Sequence, residues 1–154
     1  MREIKFRGQR VDNKEWVYGS YTQMREEDHN ECFRTEPHKT YHRIWQWEAG
    51  DWNMGGYANY EVIPETVGQF TGLKDKNWVE IYEGDKFQYH KHEGYILPDF
   101  TGEILFRDGC FGYVATSENM GEAFHSFSEF DELWEDFLKH VEIIGNIHDK
   151  HKQQ

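Results

Sequence analysis

The sequence predicts a β-rich α+β fold, and three observations lead there. Aromatic residues (11 Phe, 9 Tyr and 6 Trp) outnumber the 21 Ile, Leu and Val residues combined. Such rings bury large areas each and suit pleated surfaces better than helical bundles. The turns are glycine turns, with 14 Gly against 3 Pro, and they punctuate short runs of alternating apolar and polar residues. Only one stretch, Phe127 to Val141, repeats its apolar residues at helical spacing.

Residues 3–22 read as a β-hairpin. Ile4 and Phe6 alternate with charged neighbours, Asp12-Asn13-Lys14 supplies turn chemistry, and Glu15-Trp16-Val17-Tyr18 resumes an extended pattern. Residues 23–56 have the weakest pattern and are expected to form an irregular excursion. Within it, Tyr41, Ile44, Trp45 and Trp47 are candidates for a short strand. Tyr60–Ile63 is a strand closed by Pro64. Gln69-Phe70-Thr71 leads into a turn at 73–77, and Val79–Tyr82 leads out. Asp75 and Asn77 close that turn because both bond their own backbone and tolerate left-handed geometry.

Gly84-Asp85 followed by the alternating Lys86–His90 resembles the opening of a small SH3-like barrel. Strands at Thr101–Arg107 and Gly112–Ala115 follow, joined by the hairpin signal Asp108-Gly109. Gly94–Asp99 is the exposed loop between the first two barrel strands. Ser126 and Glu129 form a capping box. The amphipathic helix it opens covers 128–140, with acids in its first turn and Lys139 and His140 in its last, matching the helix dipole. Val141–Ile147 is a final strand. The domain reading is therefore an N-terminal β-hairpin region over 1–83, a C-terminal SH3-like small barrel with one amphipathic helix over 84–148, and a polar tail at 149–154.

Three segments resemble one family. They are the opening Met1-Arg2-Glu3-Ile4-Lys5-Phe6-Arg7, the central stretch from Gln69 to Asp85, and Ile144-Gly145-Asn146-Ile147. Together they resemble the YopX family of bacteriophage and prophage proteins over effectively the whole chain. The resemblance implies the β-rich fold above, a phage or prophage setting in the bacterial cytoplasm, and self-association. It implies no biochemical activity. The chain departs from the family pattern where a glycine usually follows Asn77 and Trp78 stands instead, so the turn must take positive φ at Asn77 or loosen.

The formal net charge is −12, from 17 basic and 29 acidic residues. That balance argues against nucleic acid as a partner, because attraction to phosphate depends on Lys and Arg releasing counterions. The charge is uneven. Residues 1–15 carry five basic side chains (Arg2, Lys5, Arg7, Arg10, Lys14) against three acidic ones (Glu3, Asp12, Glu15), leaving −14 on the rest. Lys5 and Arg7 are the residues that would touch phosphate. Nothing approaches a membrane span or a leader peptide. Cys32 and Cys110 make no disulfide framework, so a soluble cytosolic protein is expected.

The chemistry-bearing candidates are few. His38 and His42, with Cys32 upstream, have a ligand-like spacing that Pro37 keeps from being helical. His90 and His92 share a strand face beside Tyr89 and Glu93. Asp75, Glu80, Glu83 and Asp85 are a carboxylate cluster capable of Mg²⁺ or acid–base work, for which turn and backbone bonding is the stronger reading. Cys110 has no neighbour to lower its pKa. No catalytic, cofactor-binding or metal-ligating residue is assigned. Three functions are weighed: a non-enzymatic, self-associating accessory or interaction protein whose Trp-rich 41–60 segment makes the contact; an acidic decoy or inhibitor of a basic host protein; and a metal-dependent enzyme.

Overall fold

The structure, a computed structural model, describes residues 3–25, 39–50, 55–93, 97–116, 123–127 and 136–149. The chain divides into two compact units, one of Ile4–Gln69 and one running from Phe70 onward and taking in Glu3. Strands dominate both, which bears out the β-rich reading.

The N-terminal unit is an antiparallel sheet. β1 (Phe6–Gln9) pairs β2 (Trp16–Arg25), β2 pairs β3 (Thr40–Glu48), and β3 pairs β4 (Gly56–Glu61). On the other side of β1, Phe6 and Arg7 pair Gln69 and Gly68, the first residues of β5 (Gly68–Lys74). The expected irregular excursion over 23–56 is therefore corrected: 23–25 and 40–48 lie in strands, while 26–38 and 51–54 lie outside the described residues. Of the charges that blurred the pattern, Arg43 lies on the face opposite Ile44, while Glu48 shares the face of Ile44 at the strand's end and accepts the Tyr60 hydroxyl. The core is small, with Val17, Ile44 and Val62 buried and Phe6, Tyr21, Tyr60 and Val67 packed around them.

Gly19 is required where β2 meets β3. A side chain there would place its Cβ 2.0 Å from the Trp45 carbonyl oxygen, closer than any contact permits. A 3-10 turn at Pro64–Thr66 then returns the chain, and Thr66 Oγ1 accepts the Gln9 N–H at 2.8 Å while donating to the Ile63 carbonyl.

In the C-terminal unit, β5 from Phe70 onward pairs β6 (Glu80–Tyr82). A five-stranded antiparallel sheet follows in the order β10 (Phe124–Ser126), β9 (Cys110–Ala115), β8 (Phe100–Arg107), β7 (Asp85–Tyr89), β11 (Val141–Asn146). The alternation in β7 places Asp85, Phe87 and Tyr89 inward. Phe87 fills the space over Gly102, its cross-strand partner, where a Cβ would lie 2.5 Å from the ring. Phe100, Ile104, Tyr113 and Val141 complete this aromatic core. Of the expected helix over 128–140, residues 128–135 lie outside the described residues. Asp136–Leu138 form one helical turn, and Phe137 stacks at 5.1 Å on Tyr89 and 5.3 Å on Tyr113.

The turn at 75–78 places its left-handed residue differently from expectation. Positive φ falls at Trp78 (φ 64), not Asn77. Asn77 is held by the Asp75 carboxylate, so the next residue turns the chain, where the family pattern has glycine. A side chain at left-handed φ costs about 1 kcal/mol or more, and Trp78 is exposed, with no packing to offset it. Trp78→Gly is therefore expected to raise stability by about 0.5 kcal/mol, the strain relieved minus part of glycine's entropic cost; an unchanged or lower urea midpoint contradicts this. Gly102→Ala, by contrast, forces Phe87 aside and is expected to cost about 1–3 kcal/mol by the same measurement.

Candidate functional site

Strand register sorts the N-terminal sheet into two unlike faces. Directly paired residues share a face, so Ile44 carries Tyr21 and Tyr60 with it into the core. The opposite face collects Arg7, Trp16, Tyr18, Met24, Tyr41, Arg43, Trp45, Trp47 and Tyr57. Trp47 is 58% and Tyr57 70% exposed, and their rings meet edge to face at 5.1 Å. Trp45 is half-buried and donates its indole N–H to Thr22 Oγ1 at 3.0 Å. Cations sit over the rings: Lys39 lies 4.7 Å and Arg43 5.8 Å from the Tyr41 centroid, Lys5 lies 6.0 Å from Tyr18, and Arg7 lies 4.8 Å from Trp16. Among the described strand residues, Glu61 is the one acid that the register places there, directly across from Arg43. The alternating Tyr41, Arg43, Trp45 and Trp47 was a legible sign of this face. Which strands it joins was not.

The histidines regroup. His38 and Cys32 lie outside the described residues. His42 faces the core side, with Nδ1 2.5 Å from the Tyr21 hydroxyl. His90 and His92 do not act together. His90 Nε2 lies 3.3 Å from Glu142, which also holds Lys76 at 2.5 Å. His92 instead stacks on His140, centroids 3.5 Å apart and planes within 4°, with its Nε2 3.6 Å from Asp136 and its Nδ1 3.3 Å from the Tyr89 hydroxyl. His92, Asp136 and His140 bring three potential ligand atoms within 4.8 Å of one another. The rings, however, lie in parallel planes, so one cation can lie in the plane of only one of them. No local sequence signal linked positions 92 and 140.

The 75–85 carboxylates also separate. Asp75 is buried and fully engaged: Oδ1 accepts from the Asn77 and Val79 N–H groups at 2.8 and 2.9 Å, and Oδ2 accepts from Ile143 N–H at 3.0 Å. Asp85, also buried, accepts the Tyr82 N–H at 2.8 Å. Glu80 accepts the Tyr82 hydroxyl at 2.7 Å. Each of these bonds holds backbone or ring in place, and among the described residues these carboxylates do not gather around one point. Cys110 Sγ accepts from the Ser126 hydroxyl at 3.2 Å.

A family model described as YopX protein matches residues 5–152. The chain belongs to the YopX family. Among solved structures, the crystal structure of protein EF1440 from Enterococcus faecalis is 25% identical, with a TM-score of 0.49, and the match covers 96% of this chain and 95% of that one. No curated protein matches. Among the described residues, no helix is long and apolar enough to cross a membrane. In this YopX-family chain the central segment that carried the resemblance is scaffold. Its Asp75 and Asp85 bond backbone, and its Gly84 takes φ 81 while bonding Ile104 and Ile147.

His140 gives this unit a pH response. Burial, then the neighbouring His92 charge, holds its imidazole below the ordinary 6.5, with Asp136 pulling the other way. The folded chain thus binds this proton less readily than the unfolded one. The stability it contributes is whole above 6.5 and declines as pH falls from there toward the depressed folded value. His140→Gln is expected to lose less stability than the parent between pH 7 and pH 5.5 in urea titrations, and an equal loss contradicts the assignment. At high pH the sign reverses. Burial pushes the Tyr113 hydroxyl up from 10.0 to about 12, so stability is expected to fall as pH rises from 10 toward 12, with Tyr113→Phe falling less.

Proposed function

We propose that this chain is a non-enzymatic binding protein that self-associates, acting as an accessory protein of a phage or prophage in the bacterial cytoplasm. Membership of the YopX family supports the setting. Edge strand β4 carries the self-association. It pairs β3 without a break from Arg43↔Glu61 to Glu48↔Gly56, and the register records no partner on its other side among the described residues. It has none of the usual guards of an open edge, being free of Pro, Lys and bulges and carrying one acid at its end. An open, unguarded edge is a template for another strand, and an antiparallel second β4 meets it by two-fold symmetry. The exposed Trp47 and Tyr57 beside it have the composition of interface anchors. For a chain of net charge −12, a strand with a single acid at its end limits the repulsion between two copies.

Light scattering on the purified chain tests this. A concentration-dependent dimer is expected, with Tyr57→Lys shifting it to monomer, since an edge lysine opposes strand addition. Tyr57 is exposed, so the fold survives the change. A strict monomer at high concentration overturns the reading.

A further inference from the structure

We propose that His92, Asp136 and His140 bind a divalent transition-metal ion of the Zn²⁺ class, which clasps the segment 136–140 to the chain just beyond β7. The site belongs to the C-terminal unit and does not depend on the self-association proposed for β4.

Backbone bonds bring the three residues together before any ion arrives. β7 and β11 pair at Tyr89 and Val141, and one step further the His90 N–H donates to the His140 carbonyl at 2.9 Å. That bond sets His140 beside the chain that continues to His92. The helical turn completes the set. The His140 N–H donates to the Phe137 carbonyl at 3.0 Å and the Lys139 N–H to the Asp136 carbonyl at 3.2 Å, which curls Asp136 back toward His140. One ligand atom from each residue then falls within 4.8 Å of the other two. His92 Nε2 and Asp136 Oδ2 are 3.6 Å apart. Two ligands about 2.1 Å from a tetrahedral Zn²⁺ stand about 3.4 Å from each other, so this pair already has the span.

The other polar atoms of these side chains are engaged as those of metal ligands are. His92 Nδ1 lies 3.3 Å from the Tyr89 hydroxyl, and a ring held through one nitrogen presents the other to an ion. Asp136 Oδ1 faces Lys139 Nζ at 3.5 Å, while Oδ2 is the oxygen turned to His92. One adjustment is needed. The His92 and His140 rings lie 3.5 Å apart with planes within 4°, and an ion sits in the plane of each imidazole that binds it. Turning the half-buried His140 about its Cβ–Cγ bond brings a ring nitrogen into line, and that torsion is soft in histidine.

The donor set chooses the ion. Mg²⁺ and Ca²⁺ take oxygen ligands, whereas two imidazoles with one carboxylate suit Zn²⁺ and its neighbours in the first transition row. Three protein ligands leave a fourth position for water. The clasp also fixes Phe137, which stacks at 5.1 Å on Tyr89 and 5.3 Å on Tyr113, so an ion held here steadies the aromatic core.

Calorimetric titration of Zn²⁺ into the untagged full chain, first stripped with a chelator, tests this. Expected is one saturable equivalent that millimolar Mg²⁺ does not displace, together with a raised urea midpoint. His140→Gln and Asp136→Asn each weaken binding at least about 10-fold, and Tyr89→Phe, which removes only the hydroxyl at His92, weakens it about 10-fold. His42→Gln leaves it unchanged, as does His90→Gln, which keeps the backbone bond to His140. NMR of the histidine rings in the unaltered chain gives an answer independent of any variant's folding: Zn²⁺ shifts the His92 and His140 resonances together. No saturable binding, binding that survives His140→Gln, an equivalent lost in His42→Gln or His90→Gln, displacement by Mg²⁺, or unmoved His92 and His140 resonances each overturns the proposal.

Discussion

A carboxylate taken out of water holds the C-terminal unit together. Asp75 is only 6% exposed, and three backbone N–H groups, from Asn77, Val79 and Ile143, converge on its two oxygens. A buried anion is costly unless its hydrogen-bonding capacity is met, so the turn at 75–78 and the strand β11 are fixed relative to each other by the need to meet it. The bond from Lys76 N–H to the Val141 carbonyl runs alongside. Once β11 is placed, its pairing with β7 aligns Phe87 and Tyr89 under Phe137. The left-handed geometry at Trp78 is a consequence: with Asn77 held by Asp75, the residue after it must turn.

The two units solve the same problem with different means. In the C-terminal unit, rings pack into a closed aromatic core over glycines, so Gly102 and Phe87 act as one residue split between two strands. In the N-terminal unit, three buried aliphatics with Phe6, Tyr21 and Tyr60 around them hold one face of the sheet, while Tyr41, Trp45, Trp47 and Tyr57 lie on the other. That distribution is unusual for stability alone, since Trp47 and Tyr57 gain little from folding at their exposures. Among the described strand residues, Glu61 is the one acid that the register places on that face, across from Arg43.

Much of this was legible in the residues. Period-two alternation marked β1, β2, β7, β8 and β9, and the Asp108-Gly109 signal sits where Asp108 and Gly109 both take positive φ. The β3 strand was harder to see because Lys39, Arg43 and Glu48 break the apolar pattern, although Tyr41, Trp45 and Trp47 keep its period. The positive φ at Trp78 defied expectation because intrinsic preference favours Asn; the bond to Asp75 outweighs that preference. The pairing of His92 with His140, and not with His90, had no local trace, because it is set by how a residue beyond β7 approaches one just before β11.

By itself the sequence determined what needs only neighbours along the chain: strand period, turn chemistry, the β-rich class, and the kinship signalled by the 69–85 segment. Tertiary structure alone decided which strand lies beside which, and with that every property that belongs to a face. Pairing β2 with β3 and β3 with β4 puts Arg43 on a face with tryptophans and sets Glu61 directly across from it. In the C-terminal unit the fold likewise carries Asp75 to Ile143 and His92 to His140. The reason is physical: a side chain's face is fixed locally by alternation, but its company on that face comes from residues far away in sequence.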